Sequence, residues 1–294
     1  MNQTETNIIS GISELSHLYD AAILDSWGVL HNGIEPYPGV INCLSQMRNA
    51  GWKTVVLSNA PRTGESVSEQ VSEFGVSSGA YDSIITSGDL TRASLLSNNE
   101  QVNISLGPYF FHLGPSRDHG LLDGLKFVRV KELDECNFIL NTGLYDDESE
   151  VAEDYFAFLS DAKDKSLPMV CANPDIQVNR GGRLIPCAGA IALLYEKLGG
   201  KVVYYGKPFP AVYEACLNKL PGISRNRVIA VGDNIATDIA GAEKVGIDAL
   251  LVLGGIHSEE LGFIDGKTLN RPLVESFLAE QGSKIVAAIP FLTW

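Results

Sequence analysis

The chain has 294 residues, with 22 lysines and arginines against 36 aspartates and glutamates, a formal net charge of −14. At 45% hydrophobic and 20% charged residues the composition is that of a globular protein of one large or two smaller α/β units, which excludes disordered, collagen-like and disulfide-scaffold classes. No basic run offers a footprint to nucleic acid or anionic lipid, so an anionic ligand must be met by local positive charge from a metal ion, a lysine or a helix N-terminus.

Residues 1–16 lack the basic and apolar regions of a signal peptide, and no stretch reaches about 18 uninterrupted apolar residues. A cytoplasmic protein without a membrane span is expected. Short apolar runs at 21–24, 54–57, 83–86, 202–205, 228–231 and 249–253 predict core strands of a parallel sheet, because strands buried on both faces are apolar throughout. Apolar residues at helical spacing predict helices over 39–49, 64–74, 209–220 and 237–245. Between them, strands are expected at 109–113, 125–130, 138–141 and 168–172, a helix at 151–159, and a hairpin turn at Gly181-Gly182, solvated by default, whose flanking Arg180 and Arg183 could alternatively meet an anionic substrate. The pattern predicts an α/β protein whose first domain, residues 1–88 and 203–294, is interrupted by a second α/β domain over 89–202. Cys43, Cys136, Cys171, Cys187 and Cys216 form no CxxC pair and are expected to be free thiols.

Four motifs fall at predicted strand ends, where open α/β sheets place ligands. Asp25-Ser26-Trp27-Gly28 can point a carboxylate into a crevice, or simply form a turn. Ser58-Asn59-Ala60 can hold an oxyanion, or Ser58 can cap the next helix. Gly206-Lys207-Pro208 sets a lysine at a strand end, a fixed cation suited to phosphate, with a plain surface lysine as the alternative. Asp233 and Asp238, five residues apart across a strand-to-helix turn, can serve one hard cation, while Thr237 and Asp238 can equally cap the helix.

Taken in this order the four motifs resemble the haloacid dehalogenase (HAD) superfamily, and within it class IIA, the phosphatases of the N-acetylglucosamine-phosphatase and pyridoxal-phosphatase type. Thr86-Ser87-Gly88 and Cys171-Ala172-Asn173-Pro174-Asp175 extend the similarity. The resemblance implies a Rossmann-like HAD core with a parallel sheet, an inserted α/β cap, and Mg²⁺-dependent hydrolysis of a small phosphorylated metabolite. It implies Asp25 as nucleophile, with Ser58, Asn59 and Lys207 holding the phosphoryl group. Mg²⁺ would bind Asp25, the Trp27 carbonyl and Asp233, with Asp238 acting through water. Asn173 and Asp175 would help select substrate from the cap, with a plain Asn-Pro-Asp turn as the alternative, and a homodimer through the cap is expected only from the resemblance.

One position departs from the family. Its phosphatases carry a second aspartate two residues after the nucleophile, as general acid and base, and here that position is Trp27. An indole N–H does not titrate usefully, and losing a general acid typically removes about 10²–10⁴ in rate. Three readings follow: a hydrolase restricted to good leaving groups, replacement of the acid by His31 or Glu35, or a catalytically weak phosphate-binding or regulatory homologue. Carbon-centred HAD chemistry also dispenses with this aspartate, though the class IIA cap argues against it. The GxSxG match at Gly75–Gly79 lies after a predicted helix rather than a strand and is read as a helix end and loop. The sequons at Asn2 and Asn103 have no predicted route to glycosylation, and the histidines show no zinc spacing.

Overall fold

The protein is described by a computed structural model over residues 7–97, 106–263, 269–281 and 285–294; the sequons at Asn2 and Asn103 lie outside these residues. In chain order the strands and helices are β1 (Asn7–Ile8), β2 (Ala21–Asp25), α1 (Val40–Asn49), β3 (Lys53–Ser58), α2 (Gly64–Glu73), β4 (Ser83–Thr86) and α3 (Ser87–Ser97). There follow β5 (Tyr109–Leu113), β6 (Val128–Val130), β7 (Phe138–Asn141), α4 (Phe156–Asp164), β8 (Met169–Cys171), β9 (Gln177–Arg180), β10 (Arg183–Pro186), α5 (Ala188–Lys197) and β11 (Val202–Tyr204). The chain closes with α6 (Pro210–Leu217), β12 (Val228–Gly232), α7 (Ala240–Val245), β13 (Asp248–Val252), α8 (Arg271–Glu280) and β14 (Ile285–Ile289). Among the described residues no helix is long and apolar enough to cross a membrane.

Parallel strands build the larger sheet in the order β1-β14-β13-β12-β2-β3-β4. Side chains alternate across a pleat. Ala22 and Leu24 therefore pack on one side against Val40, Leu44 and Met47 of α1, whereas Ala21 and Ile23 pack on the other against Val212 of α6 and Ala242 of α7. All of β2 is buried, which is why its sequence is apolar up to the terminal aspartate. Each fully buried Leu or Ile here contributes about 1.5–3 kcal/mol relative to exposure.

From β2 the chain winds outward through β3 and β4, then returns to β12 on the other side of β2 and winds outward through β13 and β14. The crossovers diverge between β2 and β12, and the loops leaving their carboxyl ends part to open a crevice. A second parallel sheet, β11-β8-β7-β5-β6, stands over that end, with Ile139, Met169 and Cys171 packed on Leu159 of α4 and Ile191 of α5.

Three sequence expectations change. The run at 202–205 is not a strand of the larger sheet: β11 pairs with β8 at the edge of the smaller one, so Lys207 enters the crevice from that side and the four motifs do not sit on four core strands. A short apolar run states that it is a strand but not which sheet it joins. Ser87–Ser97 continues β4 as a helix whose Leu95 packs on Phe110 of the smaller sheet, and residues 151–159 divide into a tight turn over Ala152–Tyr155 and the start of α4. Helices α5 and α8 and strand β14 had no counterpart in the sequence reading. The described cysteines are all free, as expected.

Candidate active site

Each functional side chain stands where an apolar strand runs out. Asp25 closes β2 and is buried; its Oδ1 accepts from the Ser26 N–H at 2.7 Å and from Lys207 Nζ at 2.6 Å. Lys207, 1% exposed, also donates to Asp238 Oδ1 at 2.8 Å, so one ammonium lies between two carboxylates. Gly206 makes this approach: its φ is +126°, and a Cβ there would come within 2.0 Å of Ser87 Oγ and 2.5 Å of Asn59 Oδ1. Asp233 follows β12, and its Oδ2 accepts from the Ile256 N–H at 2.6 Å. Gly28 and Gly255 both press on this carboxylate, and a Cβ at either would meet Asp233 Oδ2 at 2.0 Å.

One oxygen from each of Asp25, Asp233 and Asp238 lies within 4.8 Å of the others. Two oxygens on one Mg²⁺ or Ca²⁺ lie at most about 4–5 Å apart, so the three can share a single hard cation. Their electrostatics agree. Burial and the neighbouring Asp238 push the Asp25 carboxyl well above its usual range against the pull of Lys207, and the same two causes raise Asp233 to about 7. Burial alone would lower Lys207, but Asp238, Asp25 and Asp175 outweigh it and hold the ammonium charged. Carboxylates that resist ionisation together are those a divalent cation relieves.

The second motif faces the first. Asn59 Oδ1 accepts from the Lys207 N–H at 2.7 Å and from Ser87 Oγ at 3.0 Å, while its Nδ2 donates to Asp175 Oδ1 at 2.8 Å and to the Lys207 carbonyl at 3.2 Å. Ser58 does not cap α2; Thr63 does, accepting from the Ser66 N–H. At the second turn capping and the acidic cluster coexist: Asn234 Oδ1 accepts from the Ala236 N–H at 2.9 Å, and Asp238 Oδ2 accepts from the Asn234 N–H at 3.2 Å while Oδ1 pairs with Lys207. Thr86-Ser87-Gly88 acts as a rail for this loop: Ser87 holds Asn59, the Gly88 N–H donates to the Ala60 carbonyl at 3.1 Å, and Thr86 Oγ1 donates to the Arg62 carbonyl at 2.6 Å. Asn173 and Asp175 reach the same cleft from the smaller sheet, linked by the Asp175 N–H to Asn173 Oδ1 at 3.0 Å.

Trp27 lines the cleft, and its indole Nε1 donates to the Asn179 carbonyl of β9 at 2.8 Å. The Arg180 guanidinium lies 5.7 Å from the ring centroid, so the Gly181-Gly182 hairpin is seated on the loop that follows β2 instead of standing free in solvent. Neither proposed replacement acid enters the cleft. His31 is buried with Nε2 3.1 Å from Ser26 Oγ and Nδ1 accepting from the Gly33 N–H, and burial, then the Arg62 charge, lower its pKa to about 4, leaving it neutral. Glu35 is exposed on the adjoining turn. The cleft, about 440 Å³, is also lined by residues the sequence reading did not select: Arg62, Arg117, Asp118 and Asp147. Arg62 and Asp147 lie in loops and Arg117 and Asp118 in the helical turn Ser116–Leu122, none within a motif; the signals present are the acidic stretch from Asp146 and the position of Arg62 after Ser58-Asn59.

A haloacid dehalogenase-like hydrolase family model matches residues 22–110, and a second HAD-hydrolase-like model matches 204–267. The solved structure of a hydrolase of the haloacid dehalogenase-like family from Brucella suis 1330 is 34% identical, superposes with a TM-score of 0.82, and is covered completely by 97% of this chain. The chain belongs to the haloacid dehalogenase superfamily, in its class IIA. This HAD hydrolase is also similar to the curated ribonucleotide monophosphatase NagD of Escherichia coli K12, 27% identical over 80% of this chain and 88% of that one. At the level of fold it is similar to a glycerol phosphate phosphatase from Mycobacterium tuberculosis solved with magnesium, with 23% identity, a TM-score of 0.61, and 84% of this chain and 71% of that one covered.

Proposed function

We propose that this HAD hydrolase is a divalent-cation-dependent phosphatase of small phosphate esters, acting through a phosphorylated Asp25. The observation that carries the reading is Lys207 Nζ lying 2.6 Å from Asp25 and 2.8 Å from Asp238, within a buried group of three carboxylates able to share one cation. The names of the E. coli and M. tuberculosis relatives, both phosphatases, support it.

The cation, Mg²⁺ by preference, would be held by Asp25, the Trp27 carbonyl and Asp233, with Asp238 further out; when bound it draws charge from the phosphoryl oxygens and keeps the carboxylates ionised. Asp25 attacks phosphorus in line, the bond to the ester oxygen breaks, and the leaving group departs with the electron pair. Ser58, Asn59 and Lys207 hold the equatorial oxygens, and since phosphoryl transfer is governed by positioning and charge, these contacts supply most of the acceleration. Water then cleaves the aspartyl-phosphate to inorganic phosphate. The smaller sheet acts as a cap over this site, and β9 closes it through Trp27. With an indole where a carboxyl would protonate the leaving oxygen, aryl and acyl phosphates are the expected substrates and simple alkyl phosphates poor ones.

The test is phosphate release from 4-nitrophenyl phosphate and acetyl phosphate with Mg²⁺. Wild type is expected to be active, and Asp25→Asn or added chelator to lower the rate at least about 10³-fold. Absence of turnover in folded, Mg²⁺-binding protein would move the reading to a phosphate-binding HAD homologue, which the seating of Trp27 on the cap would then explain.

A further inference from the structure

Three arginines surround the cleft between the buried Asp25–Lys207 pair and solvent. Two are committed to carboxylates: Asp147 accepts from Arg117 Nη2 at 2.6 Å and from Arg180 Nη2 at 3.0 Å, and Arg180 also pairs with Glu148. Arg62 differs. Its side chain is only 21% exposed, its Nη2 donates to the neutral Gln70 Oε1 at 2.7 Å, and Asp118, its carboxylate neighbour, lies 3.9 Å from Nε. At 3.9 Å the Asp118 carboxylate is beyond hydrogen-bond distance of the guanidinium, so it screens the Arg62 charge without occupying its donors.

A guanidinium remains charged at any physiological pH, and removing it from water without a hydrogen-bonded anion is unfavourable. An oxyanion in the cleft would offset this with a fork of charge-assisted bonds. The arginine is held ready for one. Its carbonyl accepts from Thr86 Oγ1, so the loop that carries Ser58 and Asn59 to the phosphoryl end also fixes Arg62, three residues after Asn59. The cleft of about 440 Å³ has room for a small organic group beyond the phosphoryl site.

We propose that Arg62 is the receptor for a second oxyanion on the leaving portion of the substrate, so that the preferred substrates are small phosphate esters that also carry a carboxylate or a second phosphate. The inference rests on the phosphatase reading and deepens it. Trp27 directs the choice of probe toward weakly basic leaving groups, for which aryl esters serve.

The experiment compares 4-carboxyphenyl phosphate, its isosteric amide 4-carbamoylphenyl phosphate and 1,4-phenylene bisphosphate with wild type, Arg62→Gln and Arg62→Lys. Wild type is expected to favour at least one probe with a second anionic group over the amide by about ten- to a hundred-fold in kcat/KM, mostly through KM. The preferred probe then distinguishes carboxylate from phosphate. Arg62→Gln should abolish the preference and Arg62→Lys retain part of it. A wild-type ratio near one, or a preference that survives Arg62→Gln, overturns the proposal. Calorimetric binding of the same probes separates the two readings: without turnover, tighter binding of a probe with a second anionic group that depends on Arg62 upholds the receptor while the phosphatase reading fails, and equal binding sinks the receptor.

Discussion

Trp27, two residues after Asp25, ties the loop that leaves β2 to the smaller sheet's hairpin. Its side chain reaches the cap, donating to the Asn179 carbonyl at 2.8 Å and lying under Arg180. Gly33 is the counterpart of this packing, since a Cβ there would meet the indole ring at 2.3 Å. Trp27→Phe keeps the ring and loses the donor, a neutral hydrogen bond worth about 1 kcal/mol; the expected outcome is a higher KM for 4-nitrophenyl phosphate with a smaller change in kcat. Trp27→Asp is expected to raise the alkyl-to-aryl ratio of kcat/KM by about 10²-fold, because a titratable group then faces the leaving oxygen. An unchanged ratio in a folded Trp27→Asp variant would mean that protonation at this position does not limit turnover.

At the scale of elements, the site depends on how α3 begins. Thr86, Ser87 and Gly88 carry no proposed chemistry, yet each holds the loop that follows β3. Ser87 also lies against Gly206, so one hydroxyl steadies both Asn59 and the approach of Lys207. Ser87→Ala leaves Asn59 Oδ1 with the Lys207 N–H as its remaining donor. The expected cost is about 1–2 kcal/mol of stability, read as a lower denaturation midpoint, and about tenfold in kcat/KM. A stable variant with full activity would show that the Lys207 N–H alone orients the amide. The strand β11 teaches a related lesson, since its sequence is that of any buried strand but its hydrogen-bonded partner is β8 of the cap.

For the whole molecule, metal, proton and fold are linked through the buried carboxylates. An acid whose folded pKa is raised stabilises the fold at low pH, and that contribution is lost as pH rises through the folded value, near 7 for Asp233. A cation reverses the sign, because it binds the ionised form and its affinity grows as the proton leaves. Mg²⁺ at about a hundredfold over its Kd adds about 2.7 kcal/mol. The rise in Tm caused by Mg²⁺ should therefore be larger at pH 8 than at pH 6 and absent in Asp233→Asn, as thermal melts would show; an equal rise at both pH values would remove Asp233 from the ligand set.

Much of this protein is written locally. Apolar runs such as residues 21–24 and 228–231 state buried parallel strands, and the residues ending them state where ligands go, because a strand buried on both faces has no other place for a carboxylate. Asp25, Ser58, Asn59, Asp233 and Asp238 are legible for that reason, and Lys207 by its Gly-Lys-Pro setting after an apolar run; all line or stand within one buried site. Tertiary structure decided what depends on partners distant in the chain: the sheet that β11 joins, the seating of Trp27 on Asn179, and the gathering of Arg62, Asp147 and the adjacent pair Arg117 and Asp118 from three separate segments into one cleft. A loop charge has no periodicity to betray it; its role is set by what the fold brings to within a few ångströms, and for Arg62 that is an open cleft with only a weakly held carboxyl beside it.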